Sequence, residues 1–148
     1  MFKKPSAARV ALFANRLNLT LVLLFIPALP FLMEWYCTVQ PLARRAYWAV
    51  IIAFYCCAVF VMAALWGLDR LLRNILNAQV FIRDNVRCIR LVRLCCAAVC
   101  LICIPAAFFY LPLVFFVLIM GFLCLVVGVV CQVMKAAVTI REENDLTI

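Results

Sequence analysis

Polar and apolar positions fall in long blocks along this chain, and the blocks outline its architecture. Leu17 to Met33 carries no charge and only Asn18 and Thr20 as polar residues, and Ala46 to Leu68 is uncharged throughout. Leu94 to Met134 is also uncharged, and it is twice the length that one crossing of a bilayer requires, about 20 helical residues. The middle of that block reads Ile104-Pro105 and then Tyr110-Leu111-Pro112. Proline disfavours helix at the residue before it and suits the first turn of a new one. The block therefore divides into Leu94–Tyr110 and Leu111–Met134, a tight helical hairpin. The pattern predicts an all-α integral membrane bundle of four transmembrane helices, at residues 17–33, 46–68, 94–110 and 111–134, in a single membrane domain covering 1–148. A loop over 69–93 and a tail over 135–148 complete it.

Local signals refine this outline. Pro27 and Pro30 each remove a backbone donor near the far end of the first span, so a kink or an early stop is expected there. Lys3, Lys4, Arg9 and Arg16 flank Leu17–Ile26 as a basic region flanks a signal-peptide core. The next residues, Pro27-Ala28-Leu29-Pro30-Phe31, offer no small-x-small cleavage site, which favours an uncleaved first helix. In the loop, Leu68, Leu71, Leu72, Ile75 and Leu76 recur as one helical stripe, with Arg70, Arg73, Asn74 and Asn77 off it. A turn is expected near Gln79–Phe81. A second helix then starts near Asp84 or Asn85, both good N-cap residues, with Arg83, Arg87 and Arg90 on one face and Val86, Ile89 and Val92 away from it.

Composition and charge add orientation. Hydrophobic residues make up 71% of the chain, charged residues 14%, and mean hydropathy is +1.21. A soluble domain is nearer half apolar and a quarter charged, so lipid must solvate part of this one. Of 14 Lys and Arg, only Arg44 and Arg45 fall between the first and second spans. The others lie in the N-terminal segment, the 69–93 loop and the tail, which the positive-inside rule reads as N-in/C-in with a helical cytoplasmic loop. The +8 net charge then reflects topology and attraction to anionic headgroups, and no direct nucleic-acid binding is expected.

Candidate chemistry is sparse. The chain has no histidine, the commonest proton shuttle and metal ligand at neutral pH, and neither metal nor cofactor is expected. Its ten cysteines sit almost entirely in apolar runs, where a thiol behaves as a small apolar side chain. Small residues recur at helical spacing: Gly121, Cys124, Gly128 and Cys131 on the fourth span, Cys96, Cys100, Cys103 and Ala107 on the third, Ala49, Ala53 and Cys56 on the second. Such stripes let membrane helices approach closely, inside a bundle or between copies in a homo-oligomer. Cys100 and Cys103 form a C-x-x-C, a spacing that supports thiol exchange where water and a nearby cation stabilise the thiolate. Here neither is close and Cys37 is the only outer-loop thiol, so a membrane thiol oxidoreductase is a remote reading. A coupled transporter needs an ionisable group within the membrane. No span core carries one, Glu34 is the nearest, and Asn18, Thr20 and Gln132 are the remaining polar features.

The tail completes the picture. After the last span come an alanine-containing turn at Lys135-Ala136-Ala137, the acidic pair Glu142-Glu143, and then Asn144, Asp145, Leu146, Thr147 and Ile148. This ending resembles the closing signature of domain-of-unknown-function family 2975, uncharacterised bacterial multi-pass membrane proteins. Phe81, Asn85, Val86, Arg87 and Arg90 are similar to the family's Phe-x-x-x-Asn-Val-x-x-Leu-Arg pattern, with Val80 where many members have proline and Ile89 where leucine is usual. The resemblance implies the bacterial cytoplasmic membrane. Members are often encoded beside a small helix-turn-helix regulator of the Cro/C1 type, which implies a cytoplasmic partner. The expected function is a non-enzymatic membrane regulator or sensor that engages such a partner through Phe81, Arg83, Asn85, Arg87, Arg90 and the tail from Glu142 to Ile148. The rival is a small transporter or channel subunit, with Glu34 or the small-residue stripes lining a path. Acidic residues at a helix C-terminus oppose the macrodipole, so the tail is expected to seek Arg83, Arg87 and Arg90, or a basic surface on the partner.

Overall fold

A computed structural model describes residues 6–77 and 79–146. They form four helices, α1 (Ser6–Val39), α2 (Arg44–Leu76), α3 (Arg83–Phe109) and α4 (Leu113–Leu146). Each contains a stretch long and apolar enough to cross a bilayer. At 1.5 Å per residue the 34 residues of α4 extend about 50 Å, well beyond a hydrocarbon core of about 30 Å. The helices therefore outrun their apolar blocks, and the charged segments continue as helix rather than loop. Burial is inverted relative to a soluble protein. The inward positions are mostly small, among them Ala46, Ala53, Ala58, Cys95, Cys103 and Ala106, while Phe108 is 86% and Phe115 70% exposed. Small side chains let the helices approach and large ones face the lipid, the arrangement of a multi-pass membrane protein.

The helices pack in chain order. α1 lies on α2, α2 on α3 and α3 on α4, and among the described residues no Cα of α1 comes within 8 Å of one in α4. Between them remains a cavity of about 250 Å³ lined by apolar residues and thiols, with Val22 of α1, Phe54 and Cys57 of α2, Cys103 of α3 and Met120 of α4 on its walls.

The expected early stop at the prolines does not occur, because α1 runs through Pro27 and Pro30 to Val39. In an α-helix the N–H of residue 30 would bond to the carbonyl of residue 26, and proline has none to give. Tyr55 of α2 supplies it, its hydroxyl donating to the Ile26 carbonyl at 3.1 Å. A neighbouring helix thus satisfies the backbone group that proline frees, as the lipid interior demands. One turn beyond Met33, the Tyr36 hydroxyl donates to Gln40 Oε1 at 3.0 Å and stands 2.8 Å from the Tyr110 hydroxyl. Tyr110 closes α3, and the Leu113 and Val114 amides bond back to Tyr110 and Leu111. The hairpin break at Tyr110-Leu111-Pro112 is where the proline pattern predicts it.

At the end where α1 begins and α4 finishes, the expected N-cap at Asp84 or Asn85 is not observed. Ile82 occupies the cap position with extended backbone and no side-chain bond, and α3 starts at Arg83. Asp84 lies in the first turn, where a carboxylate suits the helix dipole, and accepts from Arg70 at 3.1 Å. Here Val86 and Ile89 of α3 and Cys131 and Val138 of α4 form an apolar core, joined by Leu71, Val127 and Met134. The closest glycine approach is at Gly67, where a Cβ would lie 3.3 Å from Leu91 Cδ2 of α3.

Candidate functional site

The α2–α3 turn is organised by one side chain. Asn85 is completely buried, its amide donating to the Gln79 carbonyl at 2.8 Å and the Val80 carbonyl at 2.7 Å, and its Oδ1 accepting from Asn74 at 2.8 Å. All three strong bonds of the amide point into the turn, so Asn85 shapes the surface without facing outward. The turn leaves Phe81 exposed beside Ala137, Ile140, Arg141, Asn144 and Asp145 of α4.

The tail reaches the same surface, since α4 stays helical to Leu146. Arg83 and Glu142 meet side by side, Nε to Oε1 at 2.7 Å and Nη2 to Oε2 at 2.8 Å. The carboxylate raises the Arg83 guanidinium above its usual pKa, and hydrogen bonding to Arg83 holds the Glu142 carboxyl below its own. This pair seals one rim of a cleft of about 280 Å³ between α3 and α4, which Arg87, Arg90 and Lys135 also line. Val86 and Val138 form its apolar floor. Arg87 stands 3.7 Å from Asp84. Thr147 and Ile148 lie outside the described residues, as do Lys3 and Lys4. Leu146 and Asp145 are exposed, as are Glu143 and Asn144.

A second charged cluster is not singled out by sequence pattern. Asp69 of α2 is buried, and its carboxylate accepts from Arg16 of α1 at 3.4 Å and from Arg73 Nε at 2.7 Å, with Arg73 Nη2 also in contact. Beside it Asn15 is buried and donates to the Leu65 carbonyl at 3.0 Å. Asp69 is the lone acid between Glu34 and Asp84, and that isolation at the edge of an uncharged block is the available signal. Glu34 is exposed at the opposite end and lines none of these clusters.

The small-residue stripes divide between two interfaces. On the α4 side, Cys124 Sγ lies 3.7 Å from the Arg93 carbonyl and Cys100 Sγ 3.6 Å from the Val117 carbonyl. The Gly121 face looks onto Cys100, and the Gly128 face onto the flexible Arg93 side chain at 3.5 Å. Cys131 is buried in the apolar core and Cys96 is half-buried. Cys103, although three residues from Cys100, turns to α2, where its sulfur lies 3.8 Å from that of Cys57. The inward thiol of the Cys56-Cys57 pair is thus Cys57, and Cys56 is exposed. The C-x-x-C residues face different neighbours, and all ten cysteines are free thiols.

No curated protein and no solved structure matches the chain. One family model does, described as "Protein of unknown function (DUF2975)", and it matches residues 5–148. With the tail, the Asn85-centred turn and four membrane-length helices all inside that match, the chain belongs to the DUF2975 family.

Proposed function

We propose that this protein is a non-enzymatic membrane regulator or sensor, oriented N-in/C-in in the bacterial cytoplasmic membrane, that offers the α2–α3 turn and the end of α4 to a cytosolic partner as one surface. The observation that supports it is the paired Arg83–Glu142 contact, which joins two segments 59 positions apart into a single face. Phe81 supplies an exposed aromatic anchor on that face, and aromatic and arginine side chains are the groups that dominate binding energy at interfaces. A small helix-turn-helix regulator is the partner class that the family resemblance implies. The transport reading draws less support, because the cavity among the four helices is walled by apolar side chains and thiols rather than by ionisable groups suited to coupling.

The test is co-purification from native membranes after crosslinking. A chain lacking Asn144–Ile148, and separately Phe81→Ala, should insert and express at wild-type levels while losing the cytosolic protein that the intact chain retains. Retention of that protein by both variants would remove the surface from the proposal.

A further inference from the structure

The cleft between α3 and α4 holds more positive charge than its own carboxylate offsets. Arg83, Arg87, Arg90 and Lys135 line it together with a single acid, Glu142. Arg83 is engaged by Glu142 and Arg87 leans toward Asp84. Among the described residues, Arg90 and Lys135 pair with no carboxylate. A guanidinium and an ammonium converging on one concave site are a usual means of holding phosphate, the first as a planar fork and the second as a point charge.

Depth along the helices selects the source of that phosphate. Lys135 directly follows the apolar run that ends at Met134, and Arg90 lies one turn before the run that begins at Leu94. The cleft therefore sits where apolar helix gives way to charge, at the level of phospholipid headgroups. Its floor of Val86 and Val138 is apolar, which suits the region where a headgroup meets its glycerol and acyl chains. We propose that this cleft binds the phosphate of an anionic phospholipid headgroup through Arg90 and Lys135, with Arg87 assisting and Glu142 acting as the internal competing anion. Lipid binding here requires no cytosolic partner, although the Arg83–Glu142 pair at the rim also belongs to the proposed partner surface.

The experiment is native mass spectrometry of the full-length protein released from mild detergent, titrated with phosphatidylglycerol or phosphatidylcholine. The wild type should retain phosphatidylglycerol in preference. Arg90→Gln combined with Lys135→Gln should weaken that binding about thirtyfold, two surface cations at about 1 kcal/mol each. Both positions are exposed, so thermal unfolding should be unchanged. Glu142→Gln should tighten binding by removing the competitor, and Arg44→Gln with Arg45→Gln at the opposite end should leave it unaltered. Equal retention of the two lipids by the wild type, or undiminished phosphatidylglycerol binding by the double variant, overturns the assignment. So does displacement of the lipid by an equal concentration of inorganic phosphate, which would mark a free-phosphate site. Capture of a polyglutamate peptide through Arg90 and Lys135 without lipid selectivity would instead mark an acidic-protein surface.

Discussion

Asp69 on α2 accepts a hydrogen bond from Arg16 on α1 at 3.4 Å, and this contact carries charge across the α1–α2 interface. The carboxylate is buried while Arg16 is 59% exposed, so solvent screens the pair on one side. A double-mutant cycle with Asp69→Asn and Arg16→Gln, read by thermal unfolding in detergent, should give a coupling of about 0.5–1 kcal/mol. A coupling near zero would mean that this ion pair does not help to hold α1 on α2, leaving apolar packing and the Asn15 and Tyr55 hydrogen bonds to do so.

Asn85 presents a sharper case because it is fully buried and makes three hydrogen bonds. Asn85→Ala removes all three bonds, to the Asn74 amide and the Gln79 and Val80 carbonyls, and each of these groups that water cannot reach costs about 1–3 kcal/mol. Asn85→Asp should be comparably harmful, since a carboxylate cannot donate to two carbonyls. Limited proteolysis should show new cleavage between Asn77 and Ile82 in both variants. Protection equal to wild type would show that the turn has another support.

Glycine substitutions should separate the two helix interfaces. Gly67→Leu places a side chain where a Cβ alone already lies 3.3 Å from Leu91, and overpacking of this kind costs about 1–3 kcal/mol. Gly128→Leu meets only the long Arg93 side chain, whose Cδ lies 3.5 Å from a Cβ there, and should cost clearly less. Melting temperatures measured in one detergent decide the order.

The docked tail should respond to acid. Glu142 is held below its ordinary value of 4.5 by Arg83. A carboxyl with a depressed folded pKa stabilises the docked state above its unfolded pKa, and that contribution is lost as pH falls through the lower, folded value. Hydrogen exchange across 140–146 should be slower in the wild type than in Arg83→Gln at neutral pH, and the difference should vanish at pH well below 4.5. A difference that persists in acid would point to apolar docking instead.

The proposed orientation has its own check. A reporter active only outside the cytoplasm should be silent when fused after Ile148 and active when fused near Gln40. Activity at Ile148 would require the orientation, and the surface built on it, to be redrawn.

The four helices are legible in the sequence because charge is absent from lipid-facing segments, and the Tyr110-Leu111-Pro112 break because proline acts locally. Hydropathy does not convey which helix touches which. Asp69 escapes a reading by pattern because its partner Arg16 lies 53 positions away, and no periodicity links them. The residue type of Asn85 suggests a cap, yet its neighbours in space, Asn74 and the Gln79 and Val80 carbonyls, give it a different task. Spacing pairs Cys103 with Cys100, whereas rotation along α3 turns it to Cys57. Pro30 shows the same limit, since the donor that lets α1 continue comes from Tyr55 on another helix. The tail contact with Arg83 is within reach of charge reasoning alone, as acids at a helix C-terminus need a cation from elsewhere.

The chain-order packing of α1 on α2, α2 on α3 and α3 on α4 has a consequence for how the molecule is made. Each helix emerging during synthesis finds the neighbour it packs on already in the bilayer, and contacts across longer separations, such as Tyr36 with Tyr110, are added afterwards. Contacts between consecutive elements avoid the entropic cost of closing long loops. The seam between α1 and α4, whose described residues make no close backbone approach, then gives a lipid or a second protein a route to the apolar cavity without undoing any step of its assembly.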